Sequence, residues 1–468
     1  MAWNEEKTPM MTLKEAAEAL GCSYQGEGSI EIYGVANDSR QNLAGKMYAA
    51  LKGTRYDGAA YAGMALENGA SCIMACEGSK IPEGAPALWV RDTREALCAL
   101  SKMWRAKVDP WVVAIVGSNG KTTIAQMIGA QFEACSPLDS MCTKGNFNNT
   151  VGLPLTLLSM GRACARAAVE MGSSHPGEIA ELSSIATPSA VVVSNSGREH
   201  VERFGSAFGS AKENGDAIAG LPLDGVAVLP KADEHFEYWR SLAGGRKVVS
   251  FGVGCGADVD ARAVQEGPAW RVEVSTPAGE ARFFLGVCGL HNVENAMAAL
   301  AAALCSGLPL EGCAKALEAF EPVGGRGKRC DLVVGEDRIA LVDETYNCNP
   351  DSARACAAML ASLPGRKWMV LGEMGAVGSR AAEFMVEAAR EAKAMGLSDF
   401  WAVGPGAQEA KDSFGAGGMA FEDQDQAWSF IQAEGLPKVD VAAFKASRFA
   451  KMEILLGKVK SLGRCSEK

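Results

Sequence analysis

The residues best suited to chemistry stand close together in the run Gly117-Ser118-Asn119-Gly120-Lys121-Thr122-Thr123, which follows an apolar segment and opens a stretch of helical character. A Gly-x-x-Gly-Lys-Thr pattern gathers backbone N–H groups, a lysine and a helix N-terminus around one point, and together these favour a bound phosphate. Thr122 is placed to ligate Mg2+, and the expected ligand is a nucleoside triphosphate. The full eight-residue pattern asks for glycine at position 115, where this chain has Ile115, so the match is incomplete. Glu170 follows another apolar segment, which puts its carboxylate at the C-terminal end of an expected strand, where open parallel sheets bind ligands. That position makes it the best metal-ligand candidate, although a lone glutamate after a strand is more often a solvated loop residue. His200 follows the next apolar segment and reaches the same rim. By itself the phosphate loop fits kinases, GTPases, transport ATPases and ligases alike.

Such residues need a parallel sheet to hold them. Apolar segments at 111–116, 167–171, 190–195 and 226–229 alternate with helical stretches, which implies an α/β fold with a parallel sheet flanked by helices. Short strands are expected between 257 and 285, followed by an Ala-rich helix to about Cys305 for which Asn292 is the expected N-cap. After a glycine-rich hinge candidate at 322–325, a third region has strands expected at 339–342, 368–371, 400–403 and 439–444. At 468 residues the chain is long enough for about three domains.

Composition narrows the partners. Apolar residues at 48% and charged residues at 22% fit a soluble α/β enzyme. A net charge of -10, with no run of Lys or Arg, argues against nucleic acid as a partner. The start MAWNEEKTPM lacks the positive end and apolar core of a secretory signal, and the most apolar helical stretch, 296–304, is far short of the roughly 20 residues that span a bilayer. A cytoplasmic protein without a membrane span is expected. The 15 cysteines are odd in number and irregular in spacing, without a Cys-x-x-Cys pair, and are expected to be reduced and mostly buried.

Beyond the loop, a set of ordered motifs resembles the Mur ligases of peptidoglycan synthesis, in particular those that add D-Ala-D-Ala. It runs nearly end to end: Asp38-Ser39-Arg40, Thr143-Lys144-Gly145-Asn146-Phe147-Asn148-Asn149, Glu170-Met171-Gly172, Gly289 to Asn295, Gly325-Arg326, and Lys445-Ala446-Ser447-Arg448. Its most specific part is Tyr346-Asn347-Cys348-Asn349-Pro350-Asp351-Ser352. The resemblance implies a three-domain Mur ligase architecture: an N-terminal UDP-sugar-binding domain at 1–108, a central P-loop-type ATPase domain with a parallel sheet at 109–322, and a C-terminal Rossmann-like domain at 323–468. The implied reaction uses ATP and Mg2+. ATP phosphorylates the free carboxylate of a UDP-N-acetylmuramoyl tripeptide, and the amine of D-Ala-D-Ala attacks the acyl phosphate. The enzyme is expected to act as a monomer.

Residue roles carried by the resemblance follow the same motifs. Lys121, Glu170, His200 and Arg326 would be catalytic, and Thr122, Glu170 and His200 would hold the metal. ATP would meet the phosphate loop, Asn292 and Asn295 near the adenine, and Arg326, Asp343, Tyr346, Asn347 and Asn349 from across the hinge. Ser39 and Arg40 would bind the UDP-sugar, with Thr143, Asn146, Asn148 and Asn149 contacting substrate from the central domain. For Asn347 and Asn349 a turn held by local bonds explains the residue types equally well.

The chain departs from the family pattern at several places. Several Mur ligases carry a carbamylated lysine fourteen residues after the metal histidine, and here that position is Asn214, with Glu213 and Lys212 as neighbouring substitutes if the helix shifts register. Val116 replaces a usual Thr, Glu199 a usual Ala, and Ala376-Val377 a usual Glu-Leu. Two rival readings keep the same residues: a Mur-like ligase for a different amine, and a non-catalytic nucleotide- or UDP-sugar-binding regulator. A motor ATPase leaves the segment 346–352 unexplained.

Overall fold

The computed structural model describes residues 8–53, 56–136 and 140–467; most of the polar N-terminal stretch considered above lies outside them. Beside a two-stranded ribbon of Met11–Thr12 and Glu31–Ile32, three larger sheets follow one another along the described residues. In the first, five short strands take the order Ser23–Gln25, Ala87–Val90, Cys72–Cys76, Met47–Ala49, Val35–Ala36. The helix Thr93–Val108 leads out of it, capped by Asp92, whose carboxylate accepts the N–H groups of Arg94 and Glu95.

A nine-stranded sheet comes next. Its parallel part is centred on Trp111–Val116, which lies between Arg166–Glu170 and Ala190–Val193. All three are nearly continuous runs of buried Val, Ala and Ile, as strands covered by helices on both faces must be. Val226–Pro230 and Lys247–Val253 continue the parallel order, and an antiparallel meander, Val259–Glu266, Ala269–Thr276 and Gly279–Leu285, closes that edge. The expected parallel sheet is therefore mixed, with its short strands from 257 to 285 joined to the same sheet.

The Ala-rich helix Leu290–Cys305 packs its small residues on this sheet's core. Its N-cap is Gly289, at φ 85°, and not Asn292. A glycine is required there because a Cβ would stand 2.4 Å from the His291 ring. Asn292 sits one turn into the helix, where its amide donates to the Cys288 carbonyl (2.8 Å).

The third sheet has seven strands in the order Gly418–Phe421, Asp399–Val403, Lys367–Leu371, Val441–Lys445, Asp337–Glu344, Lys328–Val334, Arg464–Glu467. Its first five are parallel and the last two pairings antiparallel. All 15 cysteines are free thiols; burial pushes several up, Cys348 to about 11, and those are neutral and poorly nucleophilic. Among the described residues no helix is long and apolar enough to cross a membrane.

Candidate active site

Between the second and third sheets lies a cavity of about 700 Å3. The phosphate loop forms one wall. Gly117, at φ 120°, turns the chain out of its strand where a Cβ would collide with the Ser194 hydroxyl, and Gly120, at φ 82°, starts the helix Lys121–Cys135 against the Asn295 amide. The loop is held from behind: Asn119 N–H donates to Asn195 Oδ1 (3.0 Å), and Asn195 Nδ2 returns a bond to the Asn119 carbonyl (3.1 Å). The residues from Ser118 to Thr123 line the cavity, whereas Gly117 is buried beneath it. Lys121 Nζ folds onto the carbonyls of Gly117 and Ser118 and lies 3.3 Å from the Glu199 carboxylate.

Glu170 closes the floor as the last residue of its strand, buried and fully engaged. Thr122 Oγ1 donates to its Oε2 and Asn148 Nδ2 to its Oε1, both at 2.7 Å, while its own N–H donates to Thr143 Oγ1 (2.9 Å). His200, in left-handed backbone at φ 45°, lines the same cavity. Burial holds the imidazoles of His200 and His291 below the usual range, so both are neutral at pH 7, the form in which histidine binds metals.

The opposite wall comes from the third sheet. Arg326 stacks its guanidinium on Tyr346, 4.1 Å from the ring centroid. Asp343 braces this turn rather than lining the cavity: its carboxylate accepts the Gly325 N–H (2.9 Å) and the Thr345 hydroxyl (2.6 Å). Asn349 likewise works locally, as N-cap of the helix Pro350–Ser362 in a capping box with Ser352, and its Nδ2 also donates 2.8 Å across the cleft to Asn119 Oδ1. Lys445, 3% exposed, is tied to the Asn347 carbonyl (2.9 Å) and to Glu344 (3.4 Å); burial opposes its charge, but Glu344 together with Cys348 and Cys356 outweighs that and raises its pKa.

The remaining expected residues divide cleanly. Asn292 and Asn295 line the cavity, hydrogen-bonded to each other (3.0 Å), as do Asn146, Asn148, Asn149 and Asn347. Asn149 also accepts the N–H groups of Val151 and Gly152, starting the helix Gly152–Leu157. Thr143 is buried behind Glu170. Ser39 and Arg40 belong to the first sheet's region and do not line this cavity; Arg40 forms an exposed ion pair with Asp38 (2.8 Å).

The helix Ala207–Ala219 keeps regular register, and Asn214 faces the phosphate loop, accepting the Gly117 N–H on its Oδ1 (2.8 Å). Glu213 does not take over as a cavity carboxylate. Its two oxygens accept the N–H groups of Gly177 (2.8 Å) and Ile179 (2.9 Å), capping the helix Glu178–Ala186 on the other side. Sequence reasoning gave no role to Asn195, Arg198, Glu344 or Arg448, all in or beside the cavity. Arg448 carried a signal as the end of the motif begun by Lys445, and Glu344 as part of the run from Asp343 to Ser352.

One hydroxyl, one carboxylate and one imidazole make too few ligands for an all-protein metal cage. The hydroxyl of Thr122 and the carboxylate of Glu170 are oxygen donors that suit Mg2+, a hard ion that keeps water and phosphate oxygens in its shell, and the glycine-lined loop beside them suits the phosphates.

Two family models match the chain: the Mur ligase middle domain over residues 115–303, and the Mur ligase, glutamate ligase domain over residues 328–448. The UDP-N-acetylmuramoyl-tripeptide--D-alanyl-D-alanine ligase of Escherichia coli (strain K12) is 31% identical over 460 residues, 97% of this chain and 99% of that protein. The protein of the same name from Bacillus subtilis (strain 168) is 31% identical over 441 residues, 90% of this chain and 92% of that one. The crystal structure of MurF from Acinetobacter baumannii matches with a TM-score of 0.87 at 30% identity, covering 97% of this chain and 99% of that chain.

Proposed function

Because the chain belongs to the Mur ligase family, we propose that this cavity is where D-alanyl-D-alanine is joined to a UDP-N-acetylmuramoyl tripeptide, with ATP converted to ADP and phosphate. The protein is an ATP-dependent amide ligase of peptidoglycan precursor synthesis. We assign residues 1–108 to the UDP-sugar, 109–322 to ATP, and 323–468 to closing over the nucleotide. The reaction is a cytoplasmic one, carried out by a monomer.

Carboxylates resist attack by amines, and ATP supplies the phosphoryl group that turns the tripeptide carboxylate into an acyl phosphate. Bringing two anions together requires fixed positive charge and donors. Lys121 and the N–H groups of the loop hold phosphates from one wall, and Arg326 approaches from the other. Mg2+, when bound to Thr122, Glu170 and His200, neutralises phosphate charge. Asn148 and Thr122 orient the Glu170 carboxylate for that task. Asn292 and Asn295 face the adenine end, and Tyr346, Asn347 and Asn349 shape the side where C-terminal residues meet the ligands; Asp343 and Thr143 act behind the surface by holding Arg326 and Glu170. Ser39 and Arg40 bind the UDP group, and Asn146 and Asn149 the peptide.

The observation that carries this reading is the Thr122–Glu170–Asn148 chain beneath the phosphate loop, faced across the cleft by Arg326. Phosphate release from ATP and Mg2+, with product mass, tests it. Release requiring both the tripeptide and D-alanyl-D-alanine, with the pentapeptide formed, is the expected result. Nucleotide binding without turnover for any amine would instead favour a regulator.

A further inference from the structure

We propose that Arg448 is the residue that selects D-alanyl-D-alanine by binding its terminal carboxylate. The inference rests on the ligase reading above and adds a recognition element to it. An incoming dipeptide presents its amine to the reacting carbon and carries a negative charge at its other end. Extended, two residues span about 7 Å, so the group that holds the carboxylate must stand apart from the reacting centre.

Among the described residues the cavity's lysines are held in largely buried ion pairs, Lys121 with Glu199 and Lys445 with Glu344. The cavity's arginines are the two stacked on Tyr346, Arg326 at 4.1 Å and Arg448 at 5.8 Å from the ring centroid. They are mounted differently. The turn that carries Arg326 passes Asn292 on the nucleotide side, where a Cβ on Gly327 would stand 3.9 Å from the Asn292 amide. Arg448 follows Ser447, a buried residue whose hydroxyl donates to the Cys348 carbonyl (2.9 Å) and accepts the Gly375 N–H (2.6 Å). These bonds join the Arg448 segment to the turn that carries Tyr346 and Asn347, so aromatic face and guanidinium form one preorganised platform within the third sheet's region.

The Arg448 head group can exchange its present partner for a ligand. Its side chain is 63% exposed, and its ion pair with Glu453 (2.7 Å) is a partly exposed one of the kind that contributes little. A planar guanidinium matches a carboxylate bidentately, and the Tyr346 ring fixes its orientation. Two cations on one tyrosine thus divide two anions: Arg326 serves the phosphates and Arg448 the dipeptide.

Steady-state ligation with D-alanyl-D-alanine and with its C-terminal carboxamide tests the assignment, using wild type, Arg448→Ala and Arg448→Lys. Wild type should prefer the free acid by about 10- to 100-fold in kcat/KM, the range of a charged hydrogen bond. Arg448→Ala should raise KM for the acid by about tenfold or more, leave KM for ATP within about twofold, and bring the acid-to-amide ratio close to one. Arg448→Lys should restore part of that ratio, which a merely structural residue would not do. An unchanged ratio in Arg448→Ala, a wild type indifferent to the amide, or a rise confined to KM for ATP would overturn the proposal while leaving the ligase reading intact. Failure of wild type to use D-alanyl-D-alanine at all would remove the ligase reading instead.

Discussion

Asn214 accepts the first N–H of the phosphate loop at a buried position, 3% exposed, and its own Nδ2 is spent on the Ser210 carbonyl one turn earlier (2.9 Å). Removing that acceptor leaves the Gly117 N–H without a partner, and an unpaired buried amide costs about 1–3 kcal/mol. Asn214→Ala should therefore lower the thermal unfolding midpoint and, because the loop is the part released, raise KM for ATP severalfold. Glu213→Ala should also lower the midpoint, through the start of the helix Glu178–Ala186, but leave KM for ATP near the wild-type value. Differential scanning fluorimetry beside ATP titrations separates the two. Loss of turnover in a folded Glu213→Ala protein that still binds ATP would mean that the carboxylate serves the reaction after all. One residue's step turns a helical side chain by about 100°, and this is why these neighbours serve different loops.

At the scale of elements, much was legible. Runs of Val, Ala and Ile mark the central strands to within one or two residues, since a strand buried on both faces leaves no polar interruption, and the Gly-Lys-Thr step marks the helix after the loop. The N-cap of Leu290–Cys305 was not, because Asn292 is a residue type that caps helices and nothing local reveals that Gly289, in left-handed backbone, takes that place. Nor was Asn349 fully legible: its cap follows from Asn-Pro-Asp-Ser, but its donation to Asn119 joins segments 230 positions apart. Those two functions can be separated chemically. Asn349→Asp keeps an oxygen for the Ser352 N–H and loses the amide donor, whereas Asn349→Ala loses both. Only the alanine should pay the cap's roughly 1 kcal/mol in thermal stability, while both variants should show weaker ATP use. Equal destabilisation of the two would show that the bond to Asn119, not the cap, supports the fold.

Over the whole molecule, the three sheets are not joined alike. Apolar residues from the first sheet's region, Met10 to Trp104, pack in one cluster with residues of the second, Val112 to Ala243, and Trp104 Nε1 donates to the Met160 carbonyl (3.0 Å). The third region keeps largely its own cores, with Cys288 and Val201 the central residues that reach one of them. Polar bonds span the cleft instead. Arg198 donates through its backbone N–H (2.6 Å) and Nε (2.9 Å) to Asp351 and through Nη1 to Glu387 (2.7 Å), while Asn119 meets Asn349. A shared apolar core resists opening, whereas a hydrogen-bonded ionic contact with water at its edge can part and reform, so the contact between the third region and the other two is the weaker junction. Arg198 lies two residues before His200, which lines the cavity. Arg198→Ala should shift the population toward open forms, seen as a larger radius of gyration in small-angle scattering, and lower kcat/KM by about tenfold, the scale of a partly screened interfacial charge pair. Raising ionic strength should imitate the substitution in wild type and have less effect on the variant, because screening acts on the contact already lost. An Arg198→Ala protein with wild-type scattering and the same salt response would mean that this contact does not hold the cleft closed, and closure would then rest on ligands alone.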